Sequence, residues 1–248
     1  MSSSFTPPLD DIRFVLNELI DVPAIQALPG NADTGSDIID AVLEEAGRFA
    51  AQVLAPINHE GDVKGSRWND GEVTTAPGFR DAYLQYCDAG WNALPFPPEW
   101  GGQGLPKIVS APVSEIVMAA NLSFSLCPLL TAGAVEALLL VGSDHLRQTF
   151  LPKMVEGRWT GTMNLTEPQA GSDLSLVRSR AVPEGEHYRI FGQKIFITFG
   201  EHDFTENIVH LVLARLPDAP EGVKGISLFV VPKFLVNADG SLGERNDV

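Results

Sequence analysis

Residues 162–173 have the sequence TMNLTEPQAGSD. They lie where the helical periodicity of the preceding chain gives way to short β-prone segments. The second half of this stretch favours a turn, through Pro168, Gly171, Ser172 and Asp173. Taken alone, such a stretch is most often a surface turn between two strands. Hydroxyl groups also crowd it, at Thr162, Thr166 and Ser172, and donors beside flexible backbone suit an anionic or carbonyl-rich ligand. The residues therefore leave two readings open, a plain turn or a ligand-binding loop.

The segments on either side of this loop differ in their periodicity. Helical spacing of apolar residues predicts an amphipathic helix over 36–54 that stops at Pro56, and further helices over 10–20, 77–90, 109–121, 129–141 and 143–155. The proline- and glycine-rich run 91–106 predicts a long loop. Short β-prone segments follow at 159–165, 187–191, 194–198, 208–216 and 226–231. We therefore expect an α+β fold with an all-α domain over 1–157 and a small β-barrel or β-sandwich domain over 158–248.

Composition narrows the classes of partner. The chain has 17 basic and 32 acidic residues, a net charge of −15, which argues against nucleic acid or an anionic membrane as the main partner. Cys87 and Cys127 lack metal-site spacing and are expected to be buried free thiols, so no metal is predicted. The N-terminus lacks the pattern of a signal peptide, and the longest apolar run, 126–141, is shorter than the roughly 20 residues of a membrane span. We expect a cytoplasmic protein with no membrane partner.

A second segment, KIFITFG at 194–200, carries a possible binding pattern. On a strand, Phe196 and Thr198 share one face because side chains alternate with a period of two. A flat aromatic ring beside a hydroxyl donor would suit a flavin. A core phenylalanine with a solvent-facing threonine explains the segment equally well.

Four stretches resemble sequence motifs of the acyl-CoA dehydrogenase family, and they follow one another in the same order as in that family. They are PEWGGQGL at 98–105, LPKMVEGRWTG at 151–161, LTEPQAGSD at 165–173 and KIFITFG at 194–200. Residues 201–233 look most similar to the branch that contains 3-methylmercaptopropionyl-CoA dehydrogenases. The resemblance covers residues 36–231 and implies the family's helical domain followed by its β-domain.

The resemblance also implies a reaction and its participants. The family removes the α-proton of an acyl-CoA thioester with a carboxylate and passes the β-hydride to FAD, giving a trans-2-enoyl-CoA and sending the electrons to an electron-transfer flavoprotein. By similarity, Thr166 faces the flavin pyrimidine edge, Phe196 the ring and Thr198 the region near N5. Ser172 is expected to contact both the FAD pyrophosphate and the acyl-CoA. The full set of FAD-binding candidates is Met163, Asn164, Leu165, Thr166, Ser172, Phe196, Ile197 and Thr198.

Some features depart from this pattern or limit it. The family more often has tryptophan where this chain has Phe196, which keeps the stacking surface but removes an indole N–H. Glu167 lies inside the motif, yet a glutamate before proline in a tight loop is more often structural, so no catalytic residue is assigned. His202, Asp203 and Glu206 form a loop cluster that is more typical of a solvated surface than of a metal site.

The resemblance places the catalytic base in a C-terminal helical bundle that does not follow residue 237 in this sequence. We therefore expect the 248-residue chain by itself to lack turnover and to bind FAD weakly or not at all. A full-length form is expected to be a homodimer or homotetramer. Two alternatives stay open, a flavin-dependent oxidase or monooxygenase on the same scaffold and a non-catalytic binding module. The acyl chain of the substrate cannot be read from these residues.

Overall fold

The computed structural model describes residues 5–31 and 34–248, which form two compact units. The first unit contains the described chain up to Leu129 together with Val155–Gly157 and His202–Phe204. The second contains Leu130–Met154, Arg158–Glu201 and Thr205–Val248. The fold is α+β, as predicted, and its β-sheet is open instead of closing into a barrel. The predicted boundary between residues 157 and 158 stays a proposal.

The helices begin with α1 (Leu9–Phe14), which continues as the π-helical turn Val15–Leu19, and the short α2 (Val22–Gln26). Next come α3 (Ser36–Phe49), a π-helical turn Ala50–Leu54 and α4 (Ala55–Lys64). The predicted stop at Pro56 was wrong. Pro56 lies in the first turn of α4, directly after the π-helical turn in which the N–H of Ala55 donates to the carbonyl of Ala50, and the helical path continues to Lys64.

The remaining helices of the chain are α5 (Phe79–Asp88), α6 (Lys107–Ala120), α7 (Leu122–Val141) and α8 (Asp144–Val155). A small hairpin, β1 (Arg67–Asn69) with β2 (Glu72–Thr74), was not predicted. The run 91–106 is irregular apart from short 3-10 turns at Trp91–Ala93 and Pro98–Trp100, which confirms the predicted loop.

Helix α7 begins seven residues earlier than predicted. The side chain of Asn121 accepts a hydrogen bond from the backbone N–H of Phe124 at 3.0 Å, which caps the helix before Leu122, and Pro128 lies inside it. Its 20 residues are therefore long and apolar enough to cross a membrane by length and composition, contrary to the length expected from 126–141. Core helices of globular proteins share these properties, and 44% of the most apolar window of α7 is buried within the protein.

An aromatic cluster fills the core of the first unit. Tyr83 stacks on Phe204 with ring centroids 5.0 Å apart, and Tyr86 meets Phe124 edge to face at 5.7 Å. The hydroxyl of Tyr83 donates to the carbonyl oxygen of Gly157 at 2.9 Å. Cys127 is buried, Cys87 is half-buried and both are free thiols. Burial raises the pKa of Cys87 to about 12, so it stays a protonated thiol.

The second unit is built on a five-stranded sheet. Its strands are β3 (Trp159–Asn164), β4 (Arg180–Glu184), β5 (His187–Phe191), β6 (Asn207–Arg215) and β7 (Ile226–Pro232). Strand β6 is central and mostly buried, with β3 parallel to it and β7 antiparallel to it. A separate hairpin pairs β8 (Phe234–Val236) with β9 (Leu242–Arg245).

Strand β3 is held closely against residues 130–154. Trp159 is fully buried near Phe150, and the backbone N–H of Gly161 donates to the hydroxyl of Thr131 at 3.0 Å. A Cβ atom on Gly161 would lie 2.5 Å from the Cβ of Ala134, so only glycine allows this approach. The strand therefore leads into the 162–173 stretch from a fixed position.

Candidate functional site

The end of β3 carries a buried polar chain. Thr162 lies opposite His210 of β6, and its hydroxyl oxygen is 2.7 Å from both Asn164 Oδ1 and His210 Nδ1. Since an amide oxygen can only accept, the Thr162 proton points to Asn164 and Nδ1–H of His210 donates to Thr162. Burial lowers the pKa of His210 to about 4, which keeps the ring neutral. Thr162 is therefore occupied within the protein, although its hydroxyl was predicted among the ligand donors.

A tight turn follows β3. Glu167 and Ala170 exchange both of their backbone hydrogen bonds, at 2.9 and 3.0 Å. The side chain of Asp173 then accepts from the N–H of Ser175 at 2.9 Å and starts a 3-10 turn over Leu174–Leu176. Ser172 lies exposed between these two structures. The turn chemistry predicted from residues 168–173 is thus present.

Glu167 is the most completely bonded carboxylate of the site. Its side chain is 3% exposed and accepts from Lys194 Nζ at 2.8 Å and from the hydroxyl of Ser179 at 2.6 Å. The backbone N–H groups of Arg178 and Ser179 and the amide of Gln169 donate three more hydrogen bonds. Burial alone would raise the pKa of Glu167, but these donors outweigh it and lower the pKa to about 2. Glu167 is a permanently charged internal anchor and has no oxygen to spare as a base.

The second segment adjoins the first through the same region. The N–H of Ile195 donates to the carbonyl of Thr166 at 2.9 Å, and Lys194 Nζ donates to the carbonyl of Leu165 at 3.1 Å. The predicted strand over 194–198 was wrong, because residues 194–200, all of which the structure describes, form an irregular segment that ends in a turn. Phe196 and Phe199 have φ of 58° and 51°, and left-handed residues interrupt a strand.

Phe196 is 89% exposed and Thr198 is also exposed, so neither belongs to the core. Met163 is 38% exposed and Asn164 is buried, while Leu165, Thr166 and Ile197 are half-buried. The hydrogen bonds between the segments bring residues 163–166 beside residues 194–196. Ser172 lies on the far side of the Glu167–Ala170 turn along the chain, and no backbone hydrogen bond joins it to Phe196 or Thr198 in the part of the chain that the structure describes.

Three members of the polar framework were not predicted from the sequence. Lys194 and Ser179 contact Glu167 over separations of 27 and 12 residues, and no local pattern indicates such pairs. His210 did leave a signal, since it is a polar residue inside the almost continuously apolar stretch of β6. A buried polar side chain requires a hydrogen-bond partner, which here is Thr162.

His202, Asp203 and Glu206 each have a separate partner. His202 Nδ1 accepts from the N–H of Phe204 at 3.1 Å, and Asp203 accepts from the hydroxyl of Thr75 at 2.6 Å. Glu206 pairs with Arg158 at 2.8 Å. Among residues 5–31 and 34–248, no group of three or more His, Cys, Asp or Glu side chains is arranged to hold a metal ion.

The arrangement of a helical unit followed by this sheet and loop defines a known class. Residues 36–158 match the acyl-CoA dehydrogenase N-terminal domain, and residues 162–245 match the acyl-CoA dehydrogenase middle domain. The chain therefore belongs to the acyl-CoA dehydrogenase family, which confirms the resemblance read from the four sequence stretches.

Individual relatives narrow this placement. The chain is 52% identical to a 3-methylmercaptopropionyl-CoA dehydrogenase of Ruegeria pomeroyi over 98% of its length, but it spans only 42% of that protein. It is 40% identical to a butyryl-CoA dehydrogenase of Syntrophomonas wolfei, of which it spans 40%. A structure of a probable acyl-CoA dehydrogenase from Mycobacterium abscessus has 28% identity and a TM-score of 0.64, over 84% of this chain and 49% of that one. The first relative agrees with the branch indicated by residues 201–233.

Proposed function

We propose that residues 163–166 and 196–198 form one wall of an FAD site in an acyl-CoA dehydrogenase. The observation that carries the proposal is the pairing of the two segments through Ile195 and Lys194, which presents an exposed aromatic ring beside hydroxyl-bearing residues. The Phe196 ring is 89% exposed, so a flat ligand can reach its face. The residues present thus fit a flat, hydrogen-bonding ring system.

Each side chain has a distinct part in this proposal. Phe196 supplies a ring face for the isoalloxazine, and Thr166 and Thr198 supply hydroxyl donors. When bound, FAD supplies the hydride-accepting chemistry. Donors near the edge of a flavin that becomes negative on reduction would favour the reduced form. Ser172, in the exposed turn beyond Ala170, would contact the pyrophosphate of FAD and the acyl-CoA.

For the whole protein we propose dehydrogenation of an acyl-CoA to a trans-2-enoyl-CoA, with electrons passing to an electron-transfer flavoprotein. The support comes from the relatives named for 3-methylmercaptopropionyl-CoA and butyryl-CoA dehydrogenases. The base is not assigned, because Glu167 is fully engaged by its five donors. An assay of the whole protein should give enoyl-CoA with an artificial electron acceptor. Stoichiometric peroxide without an acceptor would instead indicate the oxidase alternative.

FAD binding by this chain tests the wall directly. Titration of FAD, followed by flavin fluorescence, should give weak but saturable binding. Thr166→Val removes the hydroxyl at constant shape and should weaken binding about tenfold, the value of one good hydrogen bond. Thr149→Val is the matched control on α8 and should bind FAD like the unaltered chain. Equal affinity of the two variants would contradict the assignment of Thr166.

A further inference from the structure

The Glu167–Lys194 ion pair connects the turn after β3 to the start of the 194–200 segment. Lys194 Nζ donates to Glu167 Oε1 at 2.8 Å and to the carbonyl of Leu165 at 3.1 Å. Its side chain is 9% exposed and that of Glu167 is 3% exposed. A lysine this deeply buried is held by its partners, since an unpaired charge there would be strongly unfavourable.

Glu167 is also held in place by donors other than Lys194. Four of its five donors come from Gln169, Arg178 and Ser179, so the carboxylate stays in place even without Lys194. Within residues 5–31 and 34–248, the hydrogen bonds of Lys194 Nζ go only to Glu167 and to the Leu165 carbonyl. The carboxylate is therefore the fixed end of the pair, and the lysine connects the 194–200 segment to it.

The segment connected in this way needs to be held. Phe196 adopts a left-handed backbone with φ of 58° while its side chain is 89% exposed. A non-glycine residue in this region is strained and persists only where neighbouring structure imposes the conformation. With so little packing of the ring, the restraint must act through the backbone, and Ile195 N–H to Thr166 O lies directly between Lys194 and Phe196.

We propose that Glu167 and Lys194 are positioning residues that hold Phe196 in its strained, exposed conformation for the flavin ring. This inference rests on the proposed FAD wall and assigns the motif glutamate a task that is separate from proton transfer. No bond is made or broken by the pair. Its effect is to reduce the ordering that the 194–200 segment must undergo when the ring binds.

Two readouts on the same variants test the proposal. Lys194→Met removes the charge and the donor at similar length, and we expect amide hydrogen exchange at Ile195 to accelerate roughly tenfold or more and FAD affinity to fall roughly tenfold. Lys194→Arg keeps a charged donor and should retain much of the slow exchange at Ile195 and much of the FAD affinity. Lys153→Met, a half-buried lysine of α8 that donates to the carbonyl of Gly240, is the matched control and should change neither.

The exchange measurement needs no ligand, which separates this inference from the function on which it rests. If the unaltered chain shows no saturable FAD binding, its wall alone is insufficient to hold FAD, and exchange at Ile195 then decides by itself whether the pair holds the segment. If Lys194→Met leaves Ile195 exchange unchanged, the pair is no restraint and the inference fails. It also fails if exchange accelerates while FAD affinity stays the same well below the melting temperature, because the pair would then be structural only. Glu167→Gln provides a second variant with the same expected direction.

Discussion

The two segments of the candidate site are held in place by different means. Residues 162–170 comprise the end of β3 and the turn after it, and the side chains of Thr162, Asn164 and Glu167 are buried and hydrogen-bonded inside the protein. Residues 194–200 are half-buried except for the exposed Phe196 and Thr198, contain two left-handed phenylalanines and are joined to the first segment by hydrogen bonds from Ile195 and Lys194. The first segment thus provides rigidity, and the second provides the exposed surface that a ligand would meet. Strained residues at functional sites commonly depend on a rigid support of this kind.

The largest effect should come from removing the charge at the rigid segment. Glu167→Gln leaves Lys194 buried without its counter-ion and replaces one acceptor oxygen by an NH2 group that faces other donors, so we expect a loss of about 3–5 kcal/mol in the free energy of unfolding. Glu206→Gln removes the exposed partner of Arg158 and should cost about 1 kcal/mol or less. Urea unfolding of both variants measures the difference, and equal losses would mean that the Glu167 network has no special weight.

The next effect is a dependence on pH that belongs to His210. Its pKa is about 4 in the folded chain against an ordinary value of 6.5, so between these values only the unfolded chain gains the proton. Stability should therefore fall as the pH drops from about 6.5 to 4, by about 3 kcal/mol, and change little above 6.5 on this account. Glu167, with a pKa of about 2 against 4.5, adds a further loss only below pH 4.5.

His210→Asn should remove the loss of stability that occurs between pH 6.5 and 4. The control is His187→Asn at an exposed position of β5, which leaves the contribution of His210 in place. Denaturant unfolding at half-unit steps of pH distinguishes them. An unchanged slope in His210→Asn would show that another group is responsible.

A smaller loss is expected where β3 is packed tightly. Gly161→Ala places a methyl group 2.5 Å from the Cβ of Ala134 and 2.9 Å from Met154 Cε, which should cost about 1–3 kcal/mol. Gly171→Ala, in the exposed turn, meets nothing within 4 Å and should change stability by about 0.5 kcal/mol or less. Thermal melts of the two variants compare the packed and the open ends of the same stretch.

The smallest change in stability should come from the strained segment itself. Phe196→Gly relieves the left-handed backbone and loses little burial, so we expect a free energy of unfolding that is unchanged or higher by up to about 1 kcal/mol. Phe196→Ala keeps the strain and should show no such gain. Both variants should bind FAD more weakly, because each lacks the ring. A clear loss of stability in Phe196→Gly would mean that the backbone of Phe196 is not strained or that its ring contributes packing.

Sequence reasoning succeeded where the signal is local. The amphipathic period of α3, the turn residues around Pro168 and the apolar run of β6 all predicted their elements. It failed over 194–198, because strand propensity does not reveal that Phe196 turns left-handed. The predicted start of α7 at residue 129 was wrong because Asn121 caps the helix before Leu122 and Pro128 is accommodated inside it.

For the candidate site, the sequence identified both segments but did not predict the contacts between them. Their pairing involves Lys194, Glu167 and Ser179, and Glu167 is separated from the other two by 27 and 12 residues along the chain. Such long-range polar contacts leave no periodic trace in a single sequence.

Residue-resolved NMR of the FAD-titrated chain tests the central claim most directly. If the two segments form one wall, amide shifts should move together at Met163, Thr166, Phe196 and Thr198, with FMN producing the same set. Ser172 should respond to FAD and not to FMN, since only FAD carries the pyrophosphate linked to adenosine. Shifts confined to one segment, or none in either at saturating FAD, would contradict the account.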